Sequence, residues 1–359
     1  MEALPVNETL TVQSHKGPYQ VFFESPFRGL EEGLKENEFL IIDEKVAKLY
    51  QGPLRKALSS PRVLKIEAVE SNKSLERMPD YVTYLCERGI KRGYTLVAVG
   101  GGIIEDIVSF LSAVLFRGLP WRFYPTTLLA QADSCIGSKS SINVGSYKNQ
   151  VGTFTPPKSI SIATEVLETL TQTDVCSGIG EILKVHLIAG RDDFQRLEGQ
   201  YDRLTKDKSL LVAAIRRSLE IKKAIIEKDE FDQNERLILN YGHSFGHALE
   251  SATEYGIPHG IGVTIGVDMA NYVSCQLGLM DIADYNEIHP VLIKNYAGFE
   301  KTQIPMERFF SALSKDKKNV GKDVSLILSK GPGRMFRDRY PLDGHLKGLC
   351  EKYLKEIRA

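Results

Sequence analysis

Thr95-Leu-Val-Ala-Val-Gly-Gly-Gly-Ile-Ile-Glu-Asp106 opens with an uncharged apolar strand that runs straight into three glycines. A strand of this kind is buried on both faces, as in a parallel sheet. A helix is predicted to follow from Glu105 to Phe116. Gly100, Gly101 and Gly102, lying between strand and helix, let the backbone approach a phosphate with its N–H groups outward. Ligands of open parallel sheets bind at the carboxyl ends of strands, where this turn sits. The same three residues would also serve as a tight turn that holds nothing. The pattern is not a spaced GxGxxG and comes late in the chain, so an ordinary dinucleotide-binding dehydrogenase is not implied.

On either side, the texture alternates. Phe39–Asp43, Val63–Ile66 and Trp121–Tyr124 read as further strands. A helix is predicted over Ser74–Gly89, with Leu75, Met78, Tyr81, Val82 and Leu85 on one face. Strands alternating with helices imply a parallel sheet covered on both faces. After about residue 165 the spacing turns helical, over 173–190, 194–202, 207–228, 236–255, 259–277, 281–296, 305–315 and 343–357. The one strand signal left is Val324–Leu328. A boundary is therefore expected near 160, after Pro156-Pro157. The expectation is an α/β N-terminal Rossmann-like domain with a parallel sheet (1–160) and a mostly α-helical C-terminal domain (161–359).

Composition excludes several classes. The 359 residues carry 46 Lys plus Arg and 46 Asp plus Glu. A zero net charge argues against a molecule-wide nucleic-acid surface, though not against a local basic pocket. No stretch approaches the roughly 20 apolar residues of a membrane span. The N-terminus has no basic start followed by an apolar run, so no secretion signal is expected. Five scattered cysteines form no CxxC pair, which fits reduced thiols in a cytoplasmic protein.

Three more stretches carry chemistry. Pro125 to Pro157 is dense in small and hydroxylated residues, punctuated by Asp133, Lys139, Lys148 and Asn149. It would present cations to an anionic ligand without a bulky wall, or stand as a solvated loop with incidental lysines. In Asn240-Tyr-Gly-His243-Ser-Phe-Gly-His247-Ala-Leu-Glu250 the two histidines lie one helical turn apart, and Pro258-His259-Gly260 follows. Neutral imidazoles suit a borderline divalent metal. The spacing does not say which two of the three bind it. A further ligand must come from elsewhere, and Glu181 in Ser177-Gly-Ile-Gly-Glu-Ile-Leu-Lys184 is one candidate. Glu181 and Lys184 would equally make a surface ion pair. The preceding Gly-Ile-Gly hints at close packing.

Together, from about residue 66 to 330, these motifs resemble the 3-dehydroquinate synthase family of sugar-phosphate cyclases. The residues that carry the likeness are Gly100-Gly-Gly-x-x-x-Asp106, Pro125-Thr-Thr-Leu-Leu-Ala-Gln-x-Asp133, Lys139 with Lys148-Asn149, Gly178-x-x-Glu181-Ile-Leu-Lys184, Arg236 with Asn240, Gly242-His243, Gly246-His247 and His259-Gly260. The resemblance implies Glu181, His243 and His259 as ligands of a divalent metal, zinc or cobalt. It implies NAD at Asp43, Glu70, Lys73, Gly100–Gly102, Asp106, Thr126, Thr127, Lys139, Lys148 and Thr169. It implies a sugar-phosphate pocket of Asp133, Lys139, Lys148, Asn149, Lys184, Lys222, Arg236, Asn240 and His247. One lysine of Lys315–Lys318, taken as Lys318, joins it. Arg117 would reach a neighbouring subunit's phosphate in a homodimer.

The implied activity is that of a carbon–oxygen lyase acting on phosphates. A sugar phosphate becomes a carbocycle through transient oxidation by NAD, loss of phosphate, re-reduction and an intramolecular aldol closure. With 3-deoxy-D-arabino-heptulosonate 7-phosphate this is the 3-dehydroquinate step of the shikimate pathway. The alternatives are heptulose 7-phosphate or glucose 6-phosphate as substrate, or a metal-dependent alcohol or glycerol dehydrogenase. Glu105 before Asp106, Ser138 before Lys139, Val185-His186 after Lys184 and Ile261 after Gly260 depart from the family's usual residues. Glu105 is expected to add negative charge to the glycine turn unless it points into solvent.

Overall fold

The computed structural model describes residues 9–145, 147–315 and 323–358. The chain forms two compact units, Met1–Leu170 with Lys223–Phe231, and Thr171–Lys222 with Asp232–Ala359. The boundary lies at Leu170–Thr171 where the sequence suggested 160, and the chain returns to the first unit once. Pro156-Pro157 precedes one more sheet strand, so it marks a loop inside the first unit. The second unit starts where Thr171 caps a helix, its side chain accepting from the Asp174 N–H at 3.1 Å.

The first unit holds β1 (Thr9–Val12), β2 (Tyr19–Phe23), β3 (Glu38–Asp43), α1 (Glu44–Leu49), α2 (Arg55–Leu58), β4 (Val63–Ile66), α3 (Met78–Glu87), β5 (Thr95–Gly100), α4 (Gly102–Val114), β6 (Trp121–Pro125), the hairpin β7 (Ile142–Val144) and β8 (Tyr147–Val151), and β9 (Ser159–Ile162). Seven strands make one sheet in the order β1-β2-β9-β6-β5-β3-β4. Every neighbouring pair is parallel except β1 with β2. From β3 the chain winds outward to β4, then returns to β5 on the opposite side of β3. That reversal is a topological switch point, and it opens a crevice at the carboxyl ends of β3 and β5. Ile42 pairs with Val99, so Asp43 and Gly100 follow side by side at its edge.

The second unit contains α5 (Gln172–Ala189), α6 (Arg191–Glu198), most of α7 (Lys208–Ile226), α8 (His243–Ala252), α9 (His259–Gln276), α10 (Ile282–Asn295), α11 (Met306–Ser314), the antiparallel pair β10 (Asp323–Ser329) and β11 (Met335–Pro341), and α12 (Gly344–Lys352). The helix predicted over 236–255 is broken. Residues 235–240 form a 3-10 turn, Gly242 takes φ +78°, and α8 begins only at His243. None of the described helices is long and apolar enough to cross a membrane.

Helix α9 is the centre of this unit. Its residues from Gly260 to Ser274 are all buried, which fits its all-round apolar sequence. One of them is a carboxylate, Asp268, 0% exposed. It accepts from Tyr353 at 2.7 Å and Tyr296 at 3.0 Å, and lies 2.9 Å from His289 Nδ1. Asp268→Ala would leave those donors without an acceptor in an apolar core. It is expected to cost about 3–5 kcal/mol, read by urea denaturation; a loss near zero would show the network to be dispensable.

Candidate active site

Two groups of side chains stand out, one in each unit. The second unit's group is built by close helix crossings. A Cβ on Gly180 of α5 would lie 2.3 Å from the Gly260 carbonyl oxygen of α9, and one on Gly266 of α9 would lie 2.1 Å from the Gly242 oxygen at the start of α8. Only hydrogen fits at these points, so the backbones nearly touch. The Gly-Ile-Gly before Glu181 thus has its packing partner. Glu181 then projects from the middle of α5, His243 and His247 from the first turns of α8, and His259 from the first residue of α9.

Glu181 Oε1 lies 3.4 Å from His259 Nε2 and 3.6 Å from His243 Nε2. Four donors around an ion with bonds of about 2.05 Å would be separated by about 3.3 Å, so the spacing fits one small cation. His243, His247 and His259 also bring a ring nitrogen each within 4.8 Å of one another. Glu181 is 1% exposed, and its Oε2 has no hydrogen-bond partner of normal geometry. The Lys184 ammonium, equally buried, is in contact with that oxygen. Burial would raise the Glu181 carboxyl, but Lys184 and His259 outweigh it and hold the group well below the usual carboxylate range. Burial likewise opposes charge on His259, yet Glu250 and Glu181 push its pKa well above the ordinary imidazole value. Such a nest of acids calls for a positive charge, which a divalent cation would supply in place of a proton.

His259 Nδ1 is 2.8 Å from Glu250 Oε1. A carboxylate behind a ligating imidazole fixes the ring and raises its basicity. The spacing of the histidines gave no role to Glu250, although it stands seven residues after His243 on the same face of α8. Glu250→Gln is expected to weaken metal binding about 10–100-fold, read by competition with a chelator. Unchanged affinity would deny Glu250 that role.

In the first unit, Gly101 stands at the N-cap of α4, and a Cβ there would meet Thr127 Cγ2 at 2.8 Å. Thr126 N donates to Gly100 O at 2.9 Å, tying the start of the next turn to the same spot. Beside it runs a connected polar network. Lys73 Nζ donates to Asp106 Oδ2 at 3.0 Å and to Asn149 Oδ1 at 3.1 Å, and lies 3.6 Å from Glu70. Lys148 is also 3.6 Å from Glu70. Ser141 donates to Asp106 and Asn149, and Asn143 to Glu70. Burial would strip Lys73 of its proton, but Asp106 and Glu70 hold it charged. Ser141 and Asn143 escaped notice because β7 and β8 form a hairpin inside a stretch that reads as loop.

The remaining predicted residues fall as follows. Asp133 sits in a single turn of π-helix, Ala130–Ser134, a local irregularity often found at functional sites. Lys139 is exposed, while Lys222 and Arg236 are buried at 7% and 4% exposure. Asn240 donates to Leu237 O at 3.1 Å, and His247 is exposed. Thr169 lies at the far end of the unit's last 3-10 turn, 3.3 Å from the Tyr50 hydroxyl. Arg117 is exposed at φ +66°, beside Phe116 at φ +51°. Lys318 lies outside the described residues. Glu105 does not point into solvent: it is buried and accepts from Ser134 Oγ at 2.5 Å.

Known proteins resemble this chain in sequence and in fold. The family described as 3-dehydroquinate synthase N-terminal matches residues 63–177, and its C-terminal counterpart matches 178–319. A 3-dehydroquinate synthase of Helicobacter pylori (strain P12) is 36% identical over 304 residues, covering 84% of this chain and 87% of that protein. Among solved structures, 2-epi-5-epi-valiolone synthase from Streptomyces hygroscopicus subsp. jinggangensis 5008, with NAD+ and Zn2+ bound, superposes with TM-score 0.82 at 25% identity. The match covers 94% of this chain and 97% of that one. A 2-deoxy-scyllo-inosose synthase complexed with carbaglucose-6-phosphate, NAD+ and Co2+ also gives TM-score 0.82. It is 21% identical, with 97% of this chain and 100% of that one covered.

Proposed function

Since this chain belongs to the 3-dehydroquinate synthase family, we propose that it closes a phosphorylated sugar acid into a carbocycle, releasing inorganic phosphate with no net redox change. The substrate is 3-deoxy-D-arabino-heptulosonate 7-phosphate and the product 3-dehydroquinate, made by a carbon–oxygen lyase acting on phosphates. The observation that carries this is the meeting of Glu181 with two imidazoles at 3.4 and 3.6 Å.

The donor set, two imidazoles and a carboxylate whose second oxygen is paired with the Lys184 ammonium, fits zinc or cobalt. Glu181, His243 and His259 would hold it, with Glu250 behind His259. A bound ion supplies Lewis acidity to an alcohol and to the carbonyl it becomes. The glycine turn of Gly100–Gly102 at the switch point suits a pyrophosphate, and Asp43, Glu70, Lys73, Asp106, Thr126, Thr127, Lys139, Lys148 and Thr169 are assigned to NAD. NAD supplies a hydride acceptor regenerated in each turnover.

The protein's own groups do the rest. Lys139, Lys148, Lys184, Lys222 and Arg236 neutralise phosphate and carboxylate charge, and charge-assisted bonds of this kind also fix orientation. Asp133, Asn149, Asn240 and His247 are assigned to the sugar hydroxyls and their protons. In a homodimer Arg117 serves the neighbouring subunit's phosphate. This complement of cations favours a carboxylate-bearing substrate over heptulose 7-phosphate or glucose 6-phosphate, and it exceeds what a small neutral alcohol needs.

The test is to incubate the purified protein with NAD, zinc and each sugar phosphate. Phosphate should appear with a carbocycle identifiable by NMR, while absorbance at the NADH band stays flat. NADH accumulating without phosphate would turn the reading to an alcohol dehydrogenase.

A further inference from the structure

Glu230 gathers donors from separate stretches of the first unit. Its carboxylate accepts from Ser14 Oγ at 2.5 Å, from the His15 backbone N–H at 2.7 Å and from Ser138 Oγ at 2.8 Å. His15 Nδ1 lies 3.0 Å away, and the Glu230 side chain is 12% exposed. The next residue, Phe231, sets its ring edge-on to Phe154 at 5.1 Å and lies 5.2 Å from the His15 ring. The returning segment Lys223–Phe231 is thus anchored to two loops by consecutive side chains.

One of the anchored residues is strained. Ser138 is buried at φ +65°, following Gly137 at φ +107°. A serine in the left-handed region costs on the order of 1 kcal/mol and persists only where its surroundings enforce it. Two features enforce it here. The Ser138 carbonyl accepts from Thr155 N at 2.6 Å, and its hydroxyl donates to a carboxylate, the stronger class of hydrogen bond. The residue that follows is Lys139. Rotation at Ser138 would swing the lysine's departure from the backbone.

The geometry points to Glu230 as a positioning residue for Lys139, acting through the Ser138 hydroxyl to lock the left-handed turn that aims the lysine. This rests on the reading that Lys139 holds the sugar phosphate. It also accounts for a serine, instead of a glycine, in the left-handed region: the bond to Glu230 replaces the freedom that glycine would bring.

The test compares E230A, S138A, their double variant, S138G and K139A as NAD- and zinc-loaded proteins. It reads kcat/KM well below the unfolding temperature, and amide exchange over residues 136–141. Each alanine variant should lower kcat/KM about tenfold, as a misplaced binding group does. The double variant should be no worse than the poorer single, because both remove one bond. S138G should lose less than S138A, and amides 136–141 should exchange about tenfold faster in E230A. If E230A misfolds, S138A and S138G carry the comparison. A lowered melting temperature with kcat/KM within twofold, or additive losses, would overturn the proposal. If K139A itself keeps full kcat/KM, the functional reading fails instead. Exchange then decides the clamp, and unchanged protection in E230A sinks it.

Discussion

His259→Ala is expected to lose bound metal and turnover together, with kcat/KM falling by about three orders of magnitude, roughly 4 kcal/mol of transition-state stabilisation. The reason lies in what the imidazole touches. Its Nε2 faces Glu181 Oε1 at 3.4 Å and its Nδ1 is held by Glu250 at 2.8 Å. Removing it leaves two carboxylates, Glu181 and Glu250, without the group that bridges them. A cation held by Glu181 and His243 alone would be released to chelators. Metal content after gel filtration and steady-state rates on the same preparation give the answer. A variant that keeps one metal per chain and full rate would remove His259 from the ligand set. His247→Ala is the informative companion. The three imidazoles come within 4.8 Å of one another, so a three-histidine set competes with the set containing Glu181. Burial favours the latter, since Glu181 is 1% exposed while His247 is an exposed residue. His247→Ala should therefore retain metal while losing activity; loss of metal there would favour the imidazole set.

Much of this arrangement is legible along the chain, in the places where local chemistry and tertiary packing agree. Leu96–Gly100 is buried between parallel neighbours because none of its side chains is polar. The heavily apolar helices α5 and α9 declare themselves in the same way. The sheet edge is less legible. Thr9–Val12 and Tyr19–Phe23 are short and half polar, and only pairing with each other and with Ser159–Ile162 makes them strands. The β7–β8 hairpin lies among small polar residues whose partners, Asp106 and Glu70, are far away in sequence. A continuous helical spacing over 236–255 hid the left-handed Gly242, because periodicity reports which face is apolar and not where the backbone turns. Glu250 could have been found as the acid seven residues after His243. Glu230 could not, since it gathers donors from positions as far apart as 14, 15 and 138.

The second large effect separates the helix crossing from the ligands it carries. Gly180→Ala adds one methyl group where the Gly260 carbonyl oxygen is 2.3 Å and Thr264 Oγ1 2.4 Å from the new carbon. Thr264 already donates to Gly260 O at 2.8 Å, so neither obstacle can swing aside without breaking that bond. Helices α5 and α9 must move apart, and overpacking of this kind costs about 3 kcal/mol. Glu181 is the very next residue on α5 and His259 the neighbour of Gly260 on α9. Their 3.4 Å separation should widen with the crossing, and metal affinity should fall although no ligand has been touched. The expected results are a melting temperature lowered by roughly 10 °C and zinc bound at least tenfold more weakly. Gly348→Ala serves as the control. It lies exposed on α12, with nothing within 4 Å of a new Cβ, and should gain up to about 1 kcal/mol from helix propensity. If Gly180→Ala behaved like Gly348→Ala, α5 and α9 would not be in backbone contact. The carboxylate would then need some other means of meeting the imidazoles.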